Sequence, residues 1–252
     1  MTNLTTLTTY LHTLLDVDRI PDYCPNGLQV SGRTPIQKIV TGVTACQDLL
    51  TAAIAAKADA VLVHHGYFWK GENPCITGIK YQRLHTLLKN DLSLLAYHLP
   101  LDLHPEYGNN AQLGKLLDIT LLKRFTVKDG LDLLSLGTLS TAYAGEDFAN
   151  HLSQKLNRAP LHISKTNKKI HNVAWCTGAA QDFIEAAIDI GADAYITGEI
   201  SERTVHIARE SGIHLFAAGH HATERYGVIA LGEHLSERFE LEHEFIDIDN
   251  PV

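Results

Sequence analysis

Two hydrophobic rhythms alternate along the chain. Leu4, Leu7, Leu11, Leu14 and Leu15 recur at helical spacing and predict an amphipathic helix at the N-terminus. The stretch Pro21-Asp22-Tyr23-Cys24-Pro25-Asn26-Gly27 is dense in turn formers and stops it. Ile39-Val40-Thr41-Gly42-Val43 reads as a strand and residues 47–57 as an Ala-rich helix. Ala60-Val61-Leu62-Val63 is a short apolar strand that runs into His64-His65-Gly66, and a further strand, Leu92 to Tyr97, runs into His98. Strand, helix, strand, helix, strand predicts a parallel α/β sheet.

The same order returns later. Gln47-Asp48 matches Gln181-Asp182, Ala52-Ala53-Ile54 matches Ala186-Ala187-Ile188, and Ala58-Asp59-Ala60 matches Ala192-Asp193-Ala194, all at one offset. On that offset His64-His65 falls on Gly198-Glu199. At a different offset, His98 to Asp102 resembles His220 to Glu224, each a histidine followed four residues later by a carboxylate. Short Ala-rich matches also arise by chance; the shared element order favours an internal duplication of an α/β unit.

Between the repeats lies a separate pattern. Leu131 to Thr141 reads as a strand, Gly145 to Leu156 as a helix with Phe148, Leu152 and Leu156 on one face, and Pro160 to Ser164 as a strand. Ser201 to Arg209 reads as a helix capped by Ser201 and stopped by Gly212, and a last helix spans about 222–238. The final strand, Glu240 to Ile246, is expected to return to the first sheet. The expected division is residues 1–124 with 219–252 as a first α/β domain, and 125–218 as a second.

Composition narrows the function. Of 252 residues, 45% are hydrophobic and 20% charged, ordinary globular material long enough to fold without disulfide or metal, so any metal is expected to be functional. The formal charge of −8 argues against a general nucleic-acid backbone binder. The four cysteines form no C-x-x-C motif, no signal peptide is visible, and no apolar run is long enough to span a membrane. The expectation is a reduced, soluble, cytoplasmic protein.

The 15 histidines are the unusual feature, because imidazole is both the commonest metal ligand and the neutral-pH acid or base. In open α/β sheets ligands gather beyond the carboxyl ends of the strands. Three stretches put metal-ligating residues there: His64-His65, His98 with Asp102, and His220 with Glu224. Adjacent strand residues point to opposite faces. A doublet at a strand end escapes that rule where the backbone turns. On a helix His220 and Glu224 share a face, and a carboxylate can hold two cations close together, as two-metal hydrolysis requires. Each piece also has a plain reading, as a surface doublet, a helix-capping Asp or an ordinary helix pair.

Other candidates are weaker. His221 would point away from His220 on a helix, with at most a supporting role. His104 and Glu106 lie in a Pro-containing loop and read as solvated. Tyr67-Phe68-Trp69 reads equally as a contact surface or a substrate platform. His12, His85, His151, His206 and His234 read as ordinary helix residues. Phosphate-loop and nucleophile-elbow motifs are absent.

Taken in order, these residues resemble the Nif-three-like family, also called GTP cyclohydrolase I type 2 homologs. The resemblance rests on Asn26-Gly27-Leu28, Gly42-Val43-Thr44, Ala58 to His65, His98-Leu99-Pro100-Leu101-Asp102, Gly191 to Glu199 and Ala218 to Glu224. It implies two interlinked α/β domains, a ring-shaped homohexamer, and a dinuclear metal centre held by His64, His65, Asp102, His220 and Glu224. Where many members have Pro after the histidine pair, this chain has Gly66. The family name implies hydrolytic opening of the guanine imidazole ring of GTP, with His98 available as proton shuttle. Histidine and carboxylate ligands suit zinc, iron, manganese or nickel. Two alternatives stand beside the hydrolase: a metal-binding ring or adaptor without catalysis, and a phosphoesterase using the same metals. The expected partners are a second copy of the chain and a small-molecule substrate, with no membrane.

Overall fold

The structure, a computed structural model, describes residues 1–252. The chain divides into two compact units. The first comprises Met1–Gly108 and Gly227–Asp249, and the second Asn109–Tyr226 and Asn250–Val252.

In the first unit, α1 (Leu4–Leu14) starts where Asn3 Oδ1 accepts the Thr5 N–H at 2.8 Å, and it buries Leu4, Leu7 and Leu11. Strands β1 (Gly27–Val30), β2 (Lys38–Thr44), β3 (Ala60–His65), β4 (Ser93–Ala96) and β11 (Glu242–Phe245) form a sheet in the order β1-β4-β3-β2-β11. β2, β3, β4 and β11 are parallel neighbours, and β1 closes the edge antiparallel to β4. Residues 60–64 of β3 are all buried, since helices cover both faces of a parallel sheet and erase the two-residue alternation. The crossovers are α2 (Gln47–Ala55) and α3 (Gly78–Lys89), and the short α4 (Leu99–Leu103) follows β4. One core joins α1 to Leu62, Leu95, Tyr97 and the later Val228, Leu231 and Leu235; the other joins α2 and α3 to the opposite face.

Tyr97 sits in the first of these cores, and its hydroxyl has no hydrogen-bond partner. A buried unpaired hydroxyl costs about 1–3 kcal/mol. Tyr97→Phe should therefore stabilise the protein by about 1 kcal/mol, read as a rise of a few degrees in thermal midpoint. A drop in stability would show that the hydroxyl is bonded.

The second unit opens with α5 (Asn109–Leu116). Its sheet runs β5 (Ile119–Phe125), β6 (Leu134–Tyr143), β8 (Ile170–Cys176), β9 (Ala194–Thr197), β10 (His214–Ala217) and β7 (Leu161–Ile163) in spatial order. β8, β9 and β10 are parallel. α6 (Gly145–Leu156) follows β6, with Phe148, Leu152 and Leu156 buried and Asn157 in the left-handed region at its end. α7 (Ile184–Asp189) leads to β9, and α8 (Glu202–Ser211) leads to β10. α8 carries a capping box at Ser201 and Thr204 and stops at a left-handed Gly212, as its flanking residues predict. α9 (His220–Phe239) begins in the second unit and ends in the first.

The boundaries differ from those expected. α5 and β5 group with the second unit, because β5 pairs along its length with β6. Most of α9 groups with the first unit, because Val228, Leu231 and Leu235 pack in its core. The strand expected over Leu131 to Thr141 starts at Leu134.

The duplication is visible in matched hydrogen bonds. Asp59 Oδ2 accepts the N–H groups of Gln37 and Lys38 at 2.8 and 3.0 Å, and Asp193 Oδ2 accepts those of His171 and Asn172 at 3.1 and 2.8 Å. The Asp59 N–H donates to the Lys38 carbonyl, as the Asp193 N–H does to that of Asn172. The repeated strands, β2-β3-β4 and β8-β9-β10, are parallel, and beyond β4 and β10 each set is flanked by one short antiparallel strand, β1 and β7. The second match needs correction. Strand registers Ala60↔Ser93 and Ala194↔His214 place His98 opposite Gly219. The His98 carbonyl accepts from the Asp102 N–H, and the Gly219 carbonyl from the Thr223 N–H. Asp102 thus corresponds to Thr223, not Glu224: the two His-to-carboxylate pairs begin one residue apart on their helices.

Within the second unit, His214 Nε2–H donates to the Lys168 carbonyl at 2.9 Å, so its Nδ1 accepts from His162 Nε2–H at 3.0 Å. The His162 ring stacks on Phe216 at 4.4 Å. Burial, then the neighbouring His214, holds His162 below the usual 6.5, against the pull of Glu146. A depressed histidine pKa means that the unfolded chain takes up the proton first. Its stabilising contribution is complete above pH 6.5 and fades as pH falls through that value. Thermal midpoints measured from about pH 7 to about pH 5 should fall less steeply in His162→Phe than in the parent. Equal slopes would remove this group from the acid response.

Candidate metal centre

The sequence places two clusters at the carboxyl ends of parallel strands, one in each unit. In the first, β3–β4 pairing ends at Val63↔Ala96, leaving His64 and His65 beyond the end of β4. Both residues still belong to β3, so no backbone turn is needed, yet their ring centroids lie 4.5 Å apart. His98 follows β4 and caps α4, with its ring 5.0 Å from that of His64 and 5.8 Å from that of His65. His64, His65 and His98 each bring a ring nitrogen into one group whose atoms lie within 4.8 Å of one another.

Hydrogen bonds set the tautomers. His64 Nδ1–H donates to the Tyr97 carbonyl at 3.0 Å. In neutral His64 this puts the lone pair on Nε2, which faces Asp102 Oδ1 at 3.6 Å, both side chains being buried. Metal-ligating histidines almost always give one ring N–H to a carbonyl or carboxylate, which leaves the other nitrogen for the cation; here that nitrogen and an Asp102 oxygen face each other across 3.6 Å. The donor set therefore fits a divalent cation. His65 Nδ1 lies 3.1 Å from Thr44 Oγ1.

Asp22 has a role the sequence reading missed. His98 Nδ1 contacts its Oδ1 at 3.0 Å, and Oδ2 accepts from Leu99 N–H and Asn26 Nδ2 at 3.0 and 2.9 Å. Asn26 Oδ1 in turn accepts the His98 N–H at 2.7 Å. Burial works against the Asp22 charge, but these bonds, led by His98, hold its carboxyl below the ordinary range. Asp22 is thus a positioning residue that turns His98 Nε2 away from itself; the only sequence signal was its place in the turn before Asn26-Gly27. Cys24 lies in the same group, but burial, then Asp22 and Asp102, push its thiol up to about 12, which keeps it protonated.

The aromatic run divides. Tyr67 is buried with its hydroxyl on the Ala45 carbonyl, Phe68 is exposed, and Trp69 lies edge-on to His98 at 5.1 Å. Trp69 therefore walls the histidine cluster, which leaves only Phe68 for an outer contact. Gln29 explains Gly66: its amide bonds both the N–H and the carbonyl of Tyr67, and a Cβ on residue 66 would strike it.

In the second unit, His220 and Glu224 lie one turn apart on α9, with Nε2 to Oε2 at 3.0 Å. Glu199, the repeat counterpart of His65, takes His220 Nδ1–H at 2.7 Å and is a second residue the sequence reading missed. Its only signal was that alignment. Burial opposes charge on His220, but Glu224 and then Glu199 outweigh it and raise its pKa to about 9. Gly178 packs against both Glu224 and His220, and its carbonyl accepts from the N–H groups of Gly198 and Glu199 at 2.9 and 3.2 Å.

Three further histidines have structural partners. His221 is buried, its N–H on the Val252 carbonyl. His104 Nδ1 accepts from Glu106 and Tyr107 N–H groups and so closes its turn. His234, expected as an ordinary helix residue, is half-buried between the Tyr10 and Tyr107 hydroxyls.

Fold and clusters together define a two-unit α/β protein with buried histidine and carboxylate groups able to hold metal ions. The chain belongs to the Duf34/NIF3 (NGG1p interacting factor 3) family, whose profile matches residues 2–251. It is 56% identical to the GTP cyclohydrolase 1 type 2 homolog of Pseudomonas aeruginosa, over 99% of this chain and 98% of that one. A solved structure described as protein ybgI, of unknown function, superposes with a TM-score of 0.95 at 51% identity, over 99% of this chain and 100% of the other. TTHA1606 from Thermus thermophilus gives 0.87 at 31% identity, over the same shares. No helix is long and apolar enough to cross a membrane.

Proposed function

We propose that the protein is a metal-dependent hydrolase whose His64, His65, Asp102, His220 and Glu224 together hold two divalent cations. The observation that carries this reading is His64: Nδ1 anchored on a carbonyl and Nε2 turned to the Asp102 carboxylate. Zinc, iron, manganese and nickel all suit such ligands. When bound, the cations supply Lewis acidity and bring the pKa of water toward neutrality. His98 keeps its Nδ1 proton on Asp22, so Nε2 takes a proton from the attacking water and returns it to the leaving nitrogen. Asp22 holds that tautomer, and Trp69 shields the ring from solvent.

The substrate class we assign is a purine nucleotide, with ring opening of the GTP cyclohydrolase type, supported by the names its relatives carry. The same resemblance supports a homohexamer, and the free cysteines suit the cytoplasm. Elemental analysis of native protein, with mass spectrometry of products from a nucleotide panel, tests the proposal. Two metal equivalents per chain are expected, as is release of formate from GTP by a second hydrolysis, of the formamide that ring opening leaves. Inorganic phosphate as sole product would make it a phosphoesterase. Metal without any product would leave the ring or adaptor reading.

A further inference from the structure

The second unit contains a cavity of about 380 Å³ lined by Arg158, Leu161, Gly198, Glu199, Ala217 and Val252, among others. Its size lies at the small end of the range for small-molecule sites, about 300–1,000 Å³. Two charged side chains of opposite sign line it, and they are not paired with each other. The carboxylate of Glu199 is engaged by His220 at 2.7 Å. Arg158 has a buried Nε with no hydrogen-bond partner, and its guanidinium makes no ion pair.

Local structure holds Arg158 in this position. α6 ends at left-handed Asn157, and the Arg158 N–H bonds back to the Ser153 carbonyl at 3.2 Å. The side chain then lies across the backbone of Gly219, which has φ +100°. A Cβ there would come within 2.9 Å of Arg158 Cδ and 3.1 Å of Cζ. Gly219 immediately precedes His220, so an unpaired guanidinium is laid over the residue next to a proposed metal ligand.

We propose that this cavity is the oxyanion-binding part of the substrate site, with Arg158 as its cation. A guanidinium fork matches phosphate and carboxylate alike, so the ligand class is a small molecule bearing one of these groups. Glu199 presents a carboxylate on the same wall and favours a ligand whose other end donates N–H or O–H. The inference rests on the metal-hydrolase reading, because it is Glu199, bonded to His220, that joins the cavity to the proposed centre. It also supplies the local positive charge that a chain of net charge −8 needs in order to bind a polyanion.

The test is titration calorimetry of the full chain with inorganic pyrophosphate and, separately, succinate, alongside elemental analysis of every variant. The parent should bind at least one probe; pyrophosphate marks a phosphorylated ligand and succinate a carboxylate. Arg158→Met should weaken that binding about tenfold or more, and Arg158→Lys less, since the charge survives without the fork. Leu161→Glu, at an exposed rim position, should weaken it without touching Arg158. Metal content should be unchanged in all three. A parent that binds neither probe, or an Arg158→Met protein that binds as tightly as the parent, overturns the inference. Absence of metal in the parent overturns the hydrolase reading instead, and is read separately from the binding isotherms.

Discussion

Asp102→Ala protein should lose bound metal and all hydrolytic activity. The carboxylate is buried on α4 and faces the His64 nitrogen that carries the lone pair. Outer-shell partners of metal ligands alone are worth about 10–100-fold in affinity. Removing a ligand should exceed that, more than about 100-fold, enough to empty the centre during purification. Asp102→Asn separates chemistry from packing: it keeps the shape and removes the charge. It should hold the parent's thermal midpoint in chelator while binding metal poorly. An Asp102→Ala protein that retains the parent's metal content would remove Asp102 from the ligand set.

Gly178→Ala should be strongly disruptive to the second unit. Gly178 has φ +69°, where a Cβ is disfavoured, and that Cβ would run into the Glu224 carboxylate and come within 3.2 Å of His220 Nε2. Strained backbone of this kind costs about 1–3 kcal/mol, and displacing a buried carboxylate adds to it. A loss of about 3 kcal/mol, or roughly 5–10 °C in thermal midpoint, is expected. Gly191→Ala is the control: φ +78° with nothing within 4 Å of the added Cβ. It bears the conformational cost alone, about 1 kcal/mol. Metal content should fall in Gly178→Ala and hold in Gly191→Ala. Equal effects at the two glycines would mean that Glu224 does not need the space.

How far the site was legible follows from the kind of contact each residue makes. His64-His65 and His98 were visible because apolar parallel strands announce their own carboxyl ends. His220 and Glu224 were visible because four residues make one helical turn. Asp22 and Glu199 were not, for their roles come through single side-chain bonds to His98 and His220 across long stretches of chain. Gly178 left no trace because its importance is the absence of a side chain, and the sequence does not say what would fill that space.

The amino-acid order alone determined the α/β class, the repeated unit and the strand ends where histidines and carboxylates collect. Those properties depend on periodicity and local chain stiffness, which neighbouring residues set between themselves. Only the tertiary structure decided that α5 and β5 join the second unit, that the two His-to-carboxylate pairs start one residue out of step, and which imidazole nitrogen carries the proton. Each of these is settled by packing or a hydrogen bond between residues far apart in the chain, where no local pattern can specify the partner.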